Sequence, residues 1–155
     1  MRRTKPEKRT VTPDIRYQNT NVQVLIHHIL KRGKKSTAAS LVYDSLDLVK
    51  KQTKRDPLEV FDQALKNVGP LMEVRPRRVG GATYQVPMEV EETRRLTLAI
   101  RWIIRASRKR TGNSFAEKIS AELIDAANNQ GDAVHTREET HKMAEANRAF
   151  SHFRI

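Results

Sequence analysis

The sequence has no cysteine, which excludes a disulfide framework, a thiolate metal site and a cysteine nucleophile together. The fold must stand on packing or on its partner. Aromatic residues make up only 5% of the chain, with a single tryptophan, and no apolar run approaches the roughly 20 residues of a membrane span. The N-terminus Met1-Arg2-Arg3-Thr4-Lys5-Pro6 leads into more charge instead of an apolar signal core, so a soluble, unexported chain is expected. Acidic residues are in deficit. The 18 Asp and Glu face 30 Lys and Arg, for a formal charge of +12 and a pI near 10.4. Such a charge repels itself unless a polyanion neutralises it, so an anionic partner is expected. Residues 1–111 carry 25 basic and 11 acidic side chains, whereas residues 112–155 carry 5 and 7. The positive field therefore belongs to the first two-thirds.

With 155 residues, 37% hydrophobic and 31% charged, the chain has room for one modest core under a heavily ionised surface. Residues 1–18 hold Arg2, Arg3, Lys5, Lys8, Arg9 and Arg16 with Pro6 and Pro13 and almost nothing apolar, the composition of a disordered basic arm. Residues 19–155 read as a single helical domain with a β-hairpin insertion at 72–90. Val22, Leu25, Ile26 and Ile29 at helical spacing predict a first helix ending at Gly33. A second is expected from about Lys35 to Thr53, with Ala38, Ala39, Val42, Leu46 and Val49 inward. Asp56-Pro57-Leu58-Glu59 has the form of a helix start and opens a third, with Leu58, Phe61, Leu65 and Val68 as core, broken at Gly69-Pro70.

From Met72 to Val90 the period changes to two about Gly80-Gly81, which predicts a hairpin on a two-residue turn. Pro76 and Pro87 deny each strand a ladder donor, so the ribbon is expected to stand alone, project, and be mobile until bound. A fourth helix, Glu91 to about Arg110, carries Leu96, Ala99, Ile100, Ile103 and Ile104 on one side. Arg94, Arg101, Arg105 and Arg108 fall on another. Ser114-Phe115-Ala116-Glu117 reads as a capping box opening a fifth helix, and Thr136-Arg137-Glu138-Glu139 as another opening a polar sixth helix to about Phe150.

Gly33-Lys34-Lys35-Ser36-Thr37 invites comparison with a phosphate-binding loop, but His28 stands where the first glycine is needed and Lys35 where the magnesium-binding hydroxyl would be. Lys34 and Lys35 instead read as a turn on which a phosphate backbone could rest. One Glu-x-x-His step, Glu138 to His141, falls short of the two that a di-metal bundle needs, and His27 and His28 diverge by about 100° on a helix. No metal, cofactor or small-molecule substrate is expected, and neither a Gly-x-Ser-x-Gly elbow nor a distinctive carboxylate pair points to an enzyme.

The hairpin is more telling. Arg75, Arg77 and Arg78 crowd one strand, with Tyr84 across the turn and no glutamate between Val74 and Met88. Arginine offers forked donors to phosphate and tyrosine a stacking face for bases, so RNA contact outweighs a merely solubilising edge. The helical arginine stripe lacks interleaved acids and also reads as a phosphate-facing surface. Trp102, on the same helix, reads as core or a packing lid rather than a base-stacking platform.

Gly33-Lys34-Lys35-Ser36, Arg77-Arg78-Val79-Gly80-Gly81, Tyr84-Gln85-Val86-Pro87, Ala99-Ile100-Arg101-Trp102 and Glu139-Thr140-His141-Lys142-Met143-Ala144-Glu145-Ala146-Asn147-Arg148-Ala149-Phe150 occur together and in order. From about Asp14 to Arg154 the chain resembles the family of small-subunit ribosomal protein seven, bacterial type. The resemblance implies a mainly α fold, a six-helix bundle with a projecting two-stranded β-ribbon. It implies binding to the 3′ major domain of small-subunit ribosomal RNA, nucleation of head assembly, a place beside the exit-site tRNA, and neighbouring ribosomal proteins of the head and platform. Carried over residue by residue, the RNA contacts would be the arm with Arg2, Arg3, Lys5, Lys8 and Arg9, then Lys34, Lys35, Arg75, Arg77, Arg78, Arg94, Arg95, Arg101, Arg108, Lys109, Arg110 and Lys142.

The segment Val134-His135-Thr136-Arg137 departs from relatives that often hold a basic pair there, and Ile155 replaces a usual aromatic. The implied location is the cytoplasmic ribosome, with an organelle ribosome as the open alternative. A nucleoid-type DNA binder is the rival from another class, since charge alone does not separate duplex DNA from folded RNA. Against it, no helix bears the Arg, Asn and Gln set that reads base edges. A membrane-surface protein is disfavoured because no helix joins a basic face to a large apolar one.

Overall fold

Residues 10–153 are described by a computed structural model. They form two compact units that meet in sequence between Val42 and Tyr43. Residues 1–9 of the basic arm lie outside the described residues, but at the arm's far end buried Asp14 accepts from the Arg16 and Tyr17 N–H groups at 3.0 Å each. In the first unit, Asn19 begins helix α1 (Thr20–Ile29) by accepting from the Asn21 and Val22 N–H groups. That bond satisfies donors a helix start leaves orphaned. Val22, Leu25, Ile26 and Ile29 are buried as their spacing predicts.

The helix ends before Gly33. Leu30 turns extended at ψ 127°, and Gly33, at φ 76°, serves the following turn instead of a cap. Helix α2 (Lys35–Thr53) has the bounds its pattern predicts and runs from the first unit into the second. Val42, Leu46 and Val49 on its inner stripe are fully buried.

The second unit is built on the mutual packing of α3 (Pro57–Val68), α4 (Glu92–Lys109), α5 (Phe115–Ala127) and α6 (Asp132–Ala146). Phe61 and Val68 from α3, Ile100 and Ile103 from α4 and Ile119 and Leu123 from α5 are at most 1% exposed. Burying such a side chain contributes about 1.5 to 3 kcal/mol before entropy is counted. Asp56 accepts from the Leu58 N–H at the start of α3, and the Ser114–Glu117 capping box is formed reciprocally at the start of α5.

Helix α6 corrects the sequence reading at both ends. It starts at Asp132, and Thr136 lies inside it, its hydroxyl donating to the Asp132 carbonyl. The true start is made from a distance. Glu122, fully buried on α5, accepts the Ala133 N–H at 3.0 Å with one carboxylate oxygen and the Arg110 Nε at 2.5 Å with the other. Gly131 takes φ 94°, and a Cβ there would sit 3.0 Å from the Glu122 carboxylate. At its far end α6 stops at Ala146 and a 3-10 helix, Arg148–Phe153, follows. Asn147 closes α6, its backbone N–H and its Nδ2 both donating to the Met143 carbonyl.

Strands β1 (Met72–Val79) and β2 (Ala82–Glu89) pair antiparallel as a two-stranded sheet. Gly80 and Gly81 both take positive φ, the conformation a two-residue turn needs to match the strand twist. Arg77 lies opposite Tyr84. The ribbon projects at its turn, where Arg78, Val79, Gly80 and Gly81 are exposed. The expectation that it stands alone is corrected along most of its length. There β1 packs on α6 and β2 on the 3-10 helix, with Val86 fully buried and Glu73 nearly so. The Tyr84 ring stacks on Phe153 at 5.0 Å and meets Phe150 at 5.4 Å. Those aromatics lie more than sixty residues away in sequence, beyond any local pattern.

A further tie holds the ribbon base, the Leu71 N–H donating to His141 Nε2 at 3.0 Å. Burial, followed by the charges of Arg137 and Arg95, lowers the His141 pKa from the ordinary 6.5. The folded state therefore favours the neutral ring. Its contribution to stability is full above about pH 6.5 and declines as pH falls through that value toward the lowered folded pKa. Thermal melts should show a drop between pH 7.5 and 5.5 that His141→Gln, which keeps a non-titrating acceptor, makes shallower; an unchanged drop would assign it to other groups. Glu122→Ala should cost roughly 3 kcal/mol, seen as a lower denaturant midpoint at unchanged slope, because it strips a buried charge and a helix start together.

Candidate nucleic-acid interface

Helix α4 turns a sequence pattern into two chemically distinct faces. At about 100° per residue, Ala99, Ile100, Ile103 and Ile104 face inward and are buried, while Arg101, Arg105 and Arg108 share an exposed stripe. Among the described residues none of these three arginines has a carboxylate within ion-pair distance. Their charge is therefore not cancelled locally. Lys109 is exposed beside them.

Other candidates are tied into the fold. Arg94 heads the stripe but binds both carboxylate oxygens of Glu73, at 2.9 Å each from its Nε. Arg75 reaches the same carboxylate at 2.5 Å. Arg95 is half-buried, its Nε donating to the Gly69 carbonyl at 3.3 Å. Arg110 bridges Glu122 and Asp125. Tyr84 has its ring against Phe153 and Phe150. On the ribbon, Arg78 is exposed near the turn and Arg77 is half-exposed. Lys34 and Lys35 are exposed in the first unit, Lys34 just before α2 and Lys35 as its first residue. Arg2, Arg3, Lys5, Lys8 and Arg9 lie outside the described residues.

Lys142, exposed on α6, borders a cleft of about 360 Å³ that also takes in Lys66, Arg95, Arg137 and His141. Lys66 and Arg137 were not among the sequence candidates for contact. They come together from α3 and α6, and the Arg137 guanidinium donates to the Asn67 carbonyl. No local spacing connects positions 71 residues apart. Among the described residues no group of three or more His, Asp or Glu side chains is arranged to hold a metal ion. None of the described helices is long and apolar enough to cross a membrane. The resulting chemistry is electrostatic, a run of forked donors suited to the spaced oxygens of a phosphodiester backbone.

The sequence matches the family described as ribosomal protein S7p/S5e over residues 1–148. It is 54% identical over 153 residues to the small ribosomal subunit protein uS7 of Thermomicrobium roseum, covering 99% of this chain and 98% of that one. The protein of the same name from Xanthobacter autotrophicus is 56% identical over 153 residues, with the same coverage. That from Prochlorococcus marinus is 54% identical, again over 99% and 98% of the two chains. Similarity of this extent leaves no large segment unmatched, and the chain belongs to the ribosomal protein S7p/S5e family, a family of structural proteins and not of enzymes.

Proposed function

We propose that this chain is a structural component of the small ribosomal subunit that binds the 3′ major domain of its ribosomal RNA. In this reading it nucleates assembly of the subunit head, meets neighbouring proteins of the head and platform, and lies beside the exit-site tRNA. The observation that carries the reading is the α4 stripe, three exposed arginines without acidic partners among the described residues, in a chain of +12. That pattern occurs here in a family of ribosomal proteins. An exposed charge run in a self-sufficient protein is ordinarily laced with opposite charge, and its absence here supports an external polyanion.

The ribbon tip and the Lys34-Lys35 turn supply further cations, and the arm with Arg2, Arg3, Lys5, Lys8 and Arg9 would add more. Arg94, Arg95 and Arg110 hold neighbouring elements in place, so their contribution to RNA binding would be through α4's position as much as through phosphate contact. Chemical footprinting of small-subunit RNA with and without the protein tests the assignment; protection confined to the 3′ major domain is the expected result. Equal competition by duplex DNA at the same salt would favour a nucleoid-type binder.

If about six to ten phosphates are neutralised, affinity should fall by roughly three to five decades between about 50 and 200 mM salt. A flat plot of log affinity against log salt would remove the electrostatic interface. Arg101→Glu should weaken RNA binding while leaving the melt nearly unchanged, since the side chain is exposed. Ile103→Ala should do the reverse and cost about 2 to 5 kcal/mol of stability, because Ile103 is 1% exposed.

A further inference from the structure

A second cleft, of about 430 Å³, opens between β1, β2, α4 and α6. Its apolar walls are Val74, Leu98, Trp102 and Met143. Trp102 is only half-buried, and Met143 is 54% exposed, so a face the sequence reading treated as core or lid is open to solvent. Leu98 and Trp102 stand four residues apart on one side of α4. The Arg101 and Arg105 stripe is rotated from Trp102 by roughly 60 to 100° about the same helix. A strand whose phosphates ran along the arginines would thus carry its bases past the indole.

The polar rim is mixed. The Thr140 hydroxyl donates to the Thr136 carbonyl and keeps acceptor capacity, whereas Asn147 spends one Nδ2 hydrogen on the Met143 carbonyl and keeps its Oδ1 and a second N–H. Gln85 adds another amide, and the Glu73 oxygens are engaged by Arg75 and Arg94. Amide and hydroxyl groups around an aromatic wall match a flat ring that presents both donors and acceptors at its edge.

We propose that this cleft seats one unpaired nucleobase of a bound RNA strand. The inference rests on the RNA-binding reading above and assigns the cleft a ligand of its own. Volume and lining suit it, since small-ligand pockets of about 300 to 1,000 Å³ are mostly apolar with a few fixed polar groups. Stacking on the indole supplies the attraction and the rim meets the edge. The adjacent stripe provides the charge complementarity that a peptide of a basic ribosomal neighbour would lack.

Trp102 is the only tryptophan in the chain, so its emission reports on this cleft alone. The full chain is titrated with a short oligoadenylate, an oligouridylate and an abasic ribose-phosphate oligomer of the same length, with affinity measured independently by anisotropy. Oligoadenylate should quench the emission and bind roughly ten-fold or more tighter than the abasic oligomer, with oligouridylate between them. Trp102→Leu should bring the affinities together, whereas Trp102→Phe should keep most of the difference. Should Trp102→Leu lose its cooperative melt, Met143→Ala, at a solvent-exposed position, should narrow the gap between oligoadenylate and the abasic oligomer by removing one apolar wall. Equal affinities with unchanged emission would leave the cleft to a protein segment and overturn the proposal while the phosphate interface stands. Binding of none of the oligomers would remove the interface and the base seat together.

Discussion

The buried carboxylate of Glu122 joins three segments that share no sequence pattern. It accepts from Arg110 where α4 ends and from Ala133 where α6 begins, while its own backbone belongs to α5. A charge with no solvent exposure is tolerable only with such partners, because an unpaired buried carboxylate would be strongly penalised. Satisfying it fixes the direction in which α6 leaves. That direction in turn sets where His141 meets the ribbon base and where the 3-10 helix delivers Phe150 and Phe153 to Tyr84. The node is thus upstream of the ribbon's placement, and Gly131 is its companion because a side chain there would crowd the carboxylate.

Helix α4 couples stability to binding by keeping the two on different faces. Its isoleucines hold the second unit's core, and Arg101, Arg105 and Arg108 remain at the surface with no carboxylate among the described residues within ion-pair distance. Surface charge of one sign contributes nothing to the isolated protein and opposes its compaction. The same charge becomes favourable when phosphates displace counterions. Only a rigid, well-packed inner face makes that arrangement sustainable, since it keeps the cations spaced without help from opposite charge.

The ribbon follows a related division along its length. It is held at Glu73 near its base, at Val86 in mid-strand and by the Tyr84 stack toward its turn, and the turn itself is exposed, with Arg78 and two glycines. A two-stranded hairpin alone is marginal in water, so docking most of its length removes part of the ordering entropy that a partner would otherwise have to overcome. The exposed end then carries its charge outward from a fixed root.

Much of this was legible in the sequence because it is periodic or local. The bounds of α2, the inner stripes of α1 and α4, the Ser114 capping box and the two-glycine turn each depend on residues within a few positions of one another. The exposed arginines of α4 follow from the same periodicity. What the tertiary structure alone decided are the contacts made across long separations. Thr136 has the sequence of a helix start, yet Glu122 captured the Ala133 N–H and α6 begins at Asp132 with Gly131 at the cap position, since a buried charge outweighs a surface capping preference. Tyr84 reads as a base-stacking ring, and in the fold Phe150 and Phe153 pack against it; Arg94 and Arg110 read as phosphate ligands, and in the fold they also meet Glu73, Glu122 and Asp125. Sequence determines which side chains share a helix face, because the helical repeat is fixed by the backbone. Which charges are spent inside the protein and which remain for a partner depends on distances that exist only once the chain has folded.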